Sequence, residues 1–211
     1  MTTPLHFGTT SILLATGNPA KQETLRWLLE GLPLHPVTPR ELGIESVPDE
    51  EGDTHEDIAR LKAAEWSRAS SMLVIASDGG LLIPALGINW ESRFTHRFAG
   101  LDADDSDRTR QLLELMRPYK DEERQASWVE AVAIADRGQV LASWELTGST
   151  GIIQEVPGNA PQVPGFWVFS LWYFPRFGKT YRELTSQEKA ELDDHWTRLK
   201  ELVQRFFKTR L

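Results

Sequence analysis

The sequence contains no cysteine, which excludes a disulfide framework, a thiolate nucleophile and any cysteine-ligated zinc site. A reducing cytoplasm is the easiest setting for such a chain. It also lacks any uncharged apolar run approaching the roughly 18 to 20 residues of a membrane span, and its N-terminal ten residues carry no basic region leading into an apolar stretch. The expectation is a cytoplasmic protein that avoids membranes. Basic residues are in deficit, with 23 Lys plus Arg against 31 Asp plus Glu and a formal charge of −8. That balance argues against sequence-independent nucleic-acid binding, which needs clustered cations to neutralise phosphates. A polyanion would have to be held at a local site. No Gly-x-Ser-x-Gly occurs, so a hydrolase triad of that type has no support.

What is present is 211 residues with eight tryptophans, enough chain for one large domain or two closely packed lobes. Residues 11–15 form a short apolar run ended by Thr16-Gly17-Asn18-Pro19, which reads as a buried strand entering a turn. Asn18 and Pro19 suit the cap and first turn of a helix with Leu25, Leu28 and Leu29 on its apolar stripe. A second helix is expected from Asp53 or Thr54 to about Ser70, with Asp57 completing a weak capping box and Ile58, Leu61 and Ala64 or Glu65 facing inward. Residues 72–76 read as another buried strand, closed by a polar turn at Ser77-Asp78-Gly79-Gly80. Thr109, Leu112, Leu113 and Met116 mark a helix before Pro118. Residues 127–136 and 139–147 flank Arg137-Gly138 as a hairpin, with Trp128 and Trp144 as possible cross-strand partners. Residues 166–174 read as an aromatic strand. The last helix carries a capping box at Thr185 and Glu188 and a stripe of Leu192, Trp196, Leu199, Val203 and Phe206. This order gives a mixed α/β or α+β class. The stretches 33–48 and 148–164, rich in Pro and Gly, have a linker character.

Three turns have chemical potential. Thr16-Gly17-Asn18-Pro19-Ala20-Lys21 could hold a phosphate on helix N–H groups, with Lys21 as a point charge; taken alone it is not a Walker A sequence and reads first as a plain strand-to-helix turn. The acidic run Asp49-Glu50-Glu51 precedes Lys62 and otherwise reads as a solvated loop. Ser77-Asp78-Gly79-Gly80 places a carboxylate at a strand end, suited to Mg²⁺ with substrate phosphate oxygens, although Asp-Gly is also a common turn signal.

Taken together in this order, these elements resemble the inosine triphosphate pyrophosphatases, the Ham1-like family of non-canonical purine nucleoside triphosphate pyrophosphatases, from about Ser11 to the final helix. Ala15-Thr16-Gly17-Asn18-Pro19-Ala20-Lys21 is similar to the family's Thr/Ser-x-Asn-x-x-Lys opening. Glu50 to Thr54 with Ala59 to Ala63 resembles its acidic loop and Lys-Ala helix, and Ala76 to Leu81 its Ala-Asp-Asp-Ser-Gly-Leu. Thr95 to Gly100 is similar to Ser-Ala-Arg-Tyr-Ala-Gly, and Gly178-Lys179-Thr180, Glu183-Leu184 and Lys189 lead toward its Ser-His-Arg, here Asp194-His195-Trp196. The resemblance implies one domain over 1–211, an elongated mixed sheet with flanking helices forming two lobes around a central cleft. It implies a homodimer that converts nucleoside triphosphates to monophosphate and pyrophosphate with Mg²⁺. Carried over by position, Asp78, Lys21 and Lys62 are catalytic, and Glu50 and Asp78 bind metal. Thr16, Asn18, Lys21, Lys62, Gly79, Phe166, Trp167 and His195 contact substrate.

The departures fall mostly on the base side. Ser77 stands for the first aspartate of the pair, Gly79 for its serine, and Asp57-Ile58 for Glu-Asn. Gly-Phe-Gly-Tyr-Asp-Pro becomes Gly165-Phe166-Trp167-Val168-Phe169-Ser170, and Ser-His-Arg keeps only His195. Losing an aspartate at 169 and an arginine at 196 removes polar handles for a base, and Trp167, Phe169 and Trp196 offer flat apolar surface instead. The expectation is an enzyme with ITP- or XTP-like substrates and an altered base pocket; the alternative is a nucleotide-binding or regulatory paralogue whose aromatics fill a core. His195 is either a base contact or an ordinary helix histidine, and Arg97 either a phosphate contact or a loop brace. His35, His55 and His96 carry no assigned role.

Overall fold

The computed structural model describes residues 10–44, 52–161, 163–192 and 194–210. Strand β1 (Thr10–Leu14) is apolar on both faces, and Ile12, Leu13 and Leu14 are fully buried. Such a strand suits the middle of a parallel sheet covered on both sides. Accordingly β1 pairs in parallel with β2 (Leu34–Val37) and with β3 (Leu73–Leu82), Thr10 opposite Leu34 and Leu14 opposite Ile75. The remaining strands are β4 (Gln125–Asp136), β5 (Gln139–Thr147), β6 (Gly151–Ile153), β7 (Trp172–Phe174) and β8 (Lys179–Thr180). They complete an eight-stranded mixed sheet of order β2-β1-β3-β4-β6-β7-β8, with β5 paired to β4. The β4–β5 hairpin turns on Arg137 and Gly138, both at positive φ (48° and 82°), the conformation of a tight hairpin turn. Helices are α1 (Pro19–Leu28), α2 (His55–Ser70), α3 (Asp105–Met116), α4 (Ser186–Glu191) and α5 (His195–Lys208). No described helix is long and apolar enough to cross a membrane.

The chain divides into two compact units. The first holds the described residues up to Asp78, then Glu130–Leu146 and the segment from Trp196 onward; the second holds Gly79–Val129 and Thr147–His195. In the first unit, one sheet face packs Ile12, Leu14, Leu73 and Ile75 against Leu25 and Leu28 of α1 and Leu199 and Val203 of α5. The other face is lined by small residues, Ala76, Ala131, Ala133 and Ala135, against Ala59, Ala63 and Trp66 of α2. Alanines on both surfaces let helix and sheet approach closely. The second unit has its own core, in which Trp128, Trp167, Phe169, Trp172 and Tyr181 cluster with Leu112 and Met116 of α3.

Several sequence expectations need correction. Residues 77–80 are not a turn: β3 runs through them to Leu82. Gly80 serves close approach, because a Cβ there would lie 1.9 Å from the Ser92 carbonyl oxygen. The stripe of α2 is shifted, with Lys62 buried and Leu61 only partly so. Residues 167–170 form a 3₁₀ turn, all four buried, before the short β7; an alternating strand could not bury consecutive side chains in one core of this kind. The Thr185–Glu188 capping box starts the short α4, and α5 is separate. The stripe breaks because Leu192 packs into the second unit's core and Trp196 into the first's. For the same reason Trp128 and Trp144 are not partners: Trp128 packs edge-on to Phe169 and Trp144 to Phe206.

Candidate active site

The β1–α1 turn is built by its own side chains. Asn18 is extended, and its side-chain oxygen accepts from the N–H groups of Ala20 (2.9 Å) and Lys21 (3.3 Å). Pro19 follows at the position where a missing N–H costs nothing. The Thr16 hydroxyl accepts from Asn18 N–H at 3.2 Å, and the Thr16 carbonyl accepts from Gln22 Nε2 at 2.9 Å. A Cβ on Gly17 would enter open space. Internal packing therefore does not require glycine there, and its bare backbone stays approachable.

Asp78 lies on β3, on the alanine-lined face, and is only 8% exposed. Two side chains from α2 reach it. Lys62 Nζ is 3.1 Å from Oδ1 and His55 Nδ1 is 2.5 Å from Oδ2. His55 and Lys62 are seven residues apart, two helical turns, so both face the sheet. The first turn of α2 is fixed by Thr54, whose hydroxyl accepts from Asp57 N–H at 3.0 Å and donates to Asp57 Oδ2 at 2.8 Å. It is also tied to β5, since Glu56 N–H donates to Glu145 and Ser143 donates to the Glu56 carboxylate. Burial pushes the Asp78 carboxyl toward the neutral form. The hydrogen bond from His55 and the positive charges of Lys21 and Lys62 outweigh it, holding the group at about 2. The carboxylate is thus ionised across the neutral range. Ser77 points to the opposite sheet face, buried, where its hydroxyl makes no hydrogen bond among the described residues; an aspartate there would bury a second charge.

The structure brings together Lys21, Lys62 and Asp78 and adds His55, to which the sequence alone assigns no role. Helical spacing back from Lys62 is the signal that could have found it. Glu50 lies outside the described residues. Gly79 follows Asp78 on β3. In the second unit, Phe166 is half-buried and stacked on Phe169, while Trp167 is 2% exposed and stacked on Phe98. His195 is 0% exposed, its ring parallel to Tyr181 and close enough to Gly148 that a Cβ there would lie 2.5 Å from Nδ1. Trp196 is buried in the first unit's core. These rings are packed, and of the base-side positions Phe166 keeps the most open face.

The donors present suit a divalent cation. An ionised carboxylate has about four lone-pair sites, and His55 and Lys62 occupy one on each oxygen of Asp78, leaving room for a cation. Among the described residues no group of three or more His, Asp or Glu side chains converges. A single ionised carboxylate with free lone pairs is compatible with a hard ion that takes one or two carboxylates and draws its other ligands from substrate oxygens and water.

Fold and site define a class: an α/β protein whose mixed sheet presents an ionised, buried carboxylate bonded to Lys62 and His55, with Lys21 of a capped helix N-terminus within electrostatic reach. Similarity to known proteins narrows it. The Ham1 family pattern matches residues 12–205. The dITP/XTP pyrophosphatase of Yersinia pestis is 34% identical over 190 residues, covering 90% of this chain and 94% of that protein. That of Thermus thermophilus is 34% identical over 196 residues, covering 92% and 91%. Among solved structures, a HAM1 protein from Coxiella burnetii superposes with a TM-score of 0.76 at 26% identity, covering 93% of this chain and all of that one. A nucleoside-triphosphatase, dITP/XTP pyrophosphatase, from Mycobacterium abscessus gives 0.67 at 30% identity, covering 91% and 98%. The chain belongs to the Ham1 family.

Proposed function

We propose that this protein hydrolyses nucleoside triphosphates of non-canonical purines to the monophosphate and pyrophosphate, with Asp78, Lys21 and Lys62 as its catalytic groups. The observation that carries the reading is the buried, ionised Asp78 paired with Lys62 and within electrostatic reach of Lys21. As a Ham1-family member the chain is a hydrolase acting on acid anhydrides, in line with relatives named dITP/XTP pyrophosphatases. The Thr16–Lys21 turn receives the triphosphate, Asn18 holding the turn and Lys21 and Lys62 neutralising phosphate charge as it develops on the departing pyrophosphate. Asp78 orients the attacking water and accepts hydrogen bonds from it, its own charge being maintained by His55 and Lys62. Mg²⁺, held by Asp78 and Glu50, would supply Lewis-acid polarisation of the phosphoryl oxygens.

On the base side, Gly79, Phe166, Trp167 and His195 are assigned to substrate by family position. Position 169 has no carboxylate and position 196 no guanidinium, which supports a preference relaxed away from strict 6-oxopurine recognition. A cytoplasmic homodimer is part of the same reading, supported by the absence of cysteine and by the family resemblance; sedimentation at micromolar concentration tests the dimer.

The experiment is pyrophosphate release with Mg²⁺ from ITP, XTP, dITP and the ordinary NTPs and dNTPs. Release from at least one non-canonical triphosphate is expected, with a loss of at least about 100-fold in kcat for Asp78→Asn and Lys21→Ala in folded protein. Nucleotide binding without turnover of any triphosphate would replace this reading with that of a nucleotide-binding protein. A preference for ITP and XTP by orders of magnitude would remove the relaxed base pocket.

A further inference from the structure

We infer that His55 is the positioning residue of the site: its Nδ1–H, donated to Asp78 Oδ2 at 2.5 Å, holds the carboxylate in the rotamer from which Oδ1 and the remaining lone pairs face the reacting water. The assignment rests on the pyrophosphohydrolase reading of Asp78 and extends it to a residue that no sequence motif marks.

An ionised carboxylate accepts hydrogen bonds and donates none, so the ring nitrogen facing Oδ2 must carry the proton, and the tautomer of His55 is set by its partner. Both groups are nearly removed from solvent, His55 at 4% exposure, so water does not compete for this bond. A buried charge-assisted hydrogen bond orients more firmly than a solvated one. The two contacts on Asp78 differ in kind. Lys62 ends in a rotatable ammonium on a long stem, which supplies charge but little direction. His55 is a rigid ring in the first turn of α2, where the Thr54 cap and the ties from Glu56 to Ser143 and Glu145 fix the backbone that carries it. The inflexible partner therefore sets orientation and the flexible one sets charge. Displacement of a reacting group by about 1 Å is enough to cost on the order of 100-fold in rate.

Two variants separate orientation from mere filling of space. His55→Phe keeps the ring volume and removes the donor; His55→Asn places an amide N–H near the position of Nδ1. Both are assayed for pyrophosphate release after thermal melting has established folding. The expected result is a fall in kcat of about 30- to 100-fold for His55→Phe, with KM within about threefold, and recovery to within about fivefold of wild type in His55→Asn. Unchanged kcat in His55→Phe, or equal loss in both variants, overturns the inference while leaving the pyrophosphohydrolase reading intact. An inactive wild type overturns both. A second readout needs neither turnover nor metal: ring ¹⁵N NMR of the wild-type protein should show Nδ1 carrying a proton protected from exchange, and Asp78→Ala should lose that protection. A His55 protonated only at Nε2 would overturn the assignment even if His55→Phe failed to fold.

Discussion

Gly80 and Gly17 show how two residues of one type differ when their surroundings differ. At Gly80, an added methyl would sit 1.9 Å from the Ser92 carbonyl oxygen and 2.9 Å from Thr95 Oγ1. That hydroxyl already accepts from Leu81 N–H and donates to the Ser92 carbonyl. The obstacle is backbone held in place by these bonds, so it cannot swing aside as a flexible side chain would. Gly80→Ala is expected to cost about 3 kcal/mol, the upper end of ordinary overpacking, seen as a lower urea midpoint at unchanged slope. At Gly17 an added methyl would have no neighbour within 4 Å, and the backbone φ is not positive. Gly17→Ala should therefore leave stability within about 0.5 kcal/mol. If the turn receives the triphosphate, the same substitution should raise KM several-fold with kcat little changed, the signature of lost uniform binding. A Gly17→Ala enzyme with wild-type KM would take this turn out of the binding site.

At the scale of elements, α2 concentrates the site. Its sheet-facing stripe of His55, Ile58, Ala59, Lys62, Ala63 and Trp66 mixes two polar groups with small and large apolar ones, and the local signal for where that stripe begins is the cap at Thr54. Thr54→Ala removes an acceptor for a first-turn N–H and should cost about 1 kcal/mol, a fall in Tm of about 2 to 4 °C for a chain of this size. Thr54→Ser should restore the melting temperature. The start of α2 was legible in the sequence because a capping residue acts locally, and so were the cap of α1, the hairpin at Arg137-Gly138 and the buried strand at 72–76. What the sequence hid was set by distant contacts. The extension of β3 through Gly79 and Gly80 depends on a loop a dozen residues away. The separation of α4 from α5 depends on two cores claiming Leu192 and Trp196. The aromatic segment at 166–170 has the composition of a strand, and its 3₁₀ turn follows from total burial. Lys21, Lys62 and Asp78 were readable as a motif, whereas His55 becomes visible only when helix phase is joined to the sheet it faces.

At the scale of the whole molecule, the net negative charge conceals differences among individual carboxylates. Glu41, Asp107, Glu155, Glu183 and Glu188 all sit below the usual carboxylate range: Glu41 through bonds from Thr38, Asp107 and Glu155 through Arg110 and Lys120, Glu183 through Thr180, and Glu188 through Lys179. These groups are exposed or partly exposed and occur in both units, and solvent screens their individual effects. Asp78 differs because it is buried. Its displacement from 3.8 to about 2, in which His55, Lys21 and Lys62 overcome the burial penalty, corresponds to roughly 2 kcal/mol of linkage. Since the folded value is depressed, that stability is present in full above the ordinary carboxylate value and is lost as pH falls through the folded one. The expected outcome is a wild-type urea midpoint nearly constant down to about pH 5 as far as Asp78 is concerned, then a steepening fall between about pH 4 and 2. Asp78→Asn should be less stable near neutrality, because it strips the charge from buried Lys62's partner, yet should show a shallower fall over the same acid interval. Midpoints measured for both proteins at intervals from about pH 7 to 2.5 decide the matter. Parallel curves would mean that Asp78 is not held ionised by His55 and the two lysines, and would remove the electrostatic basis of the site.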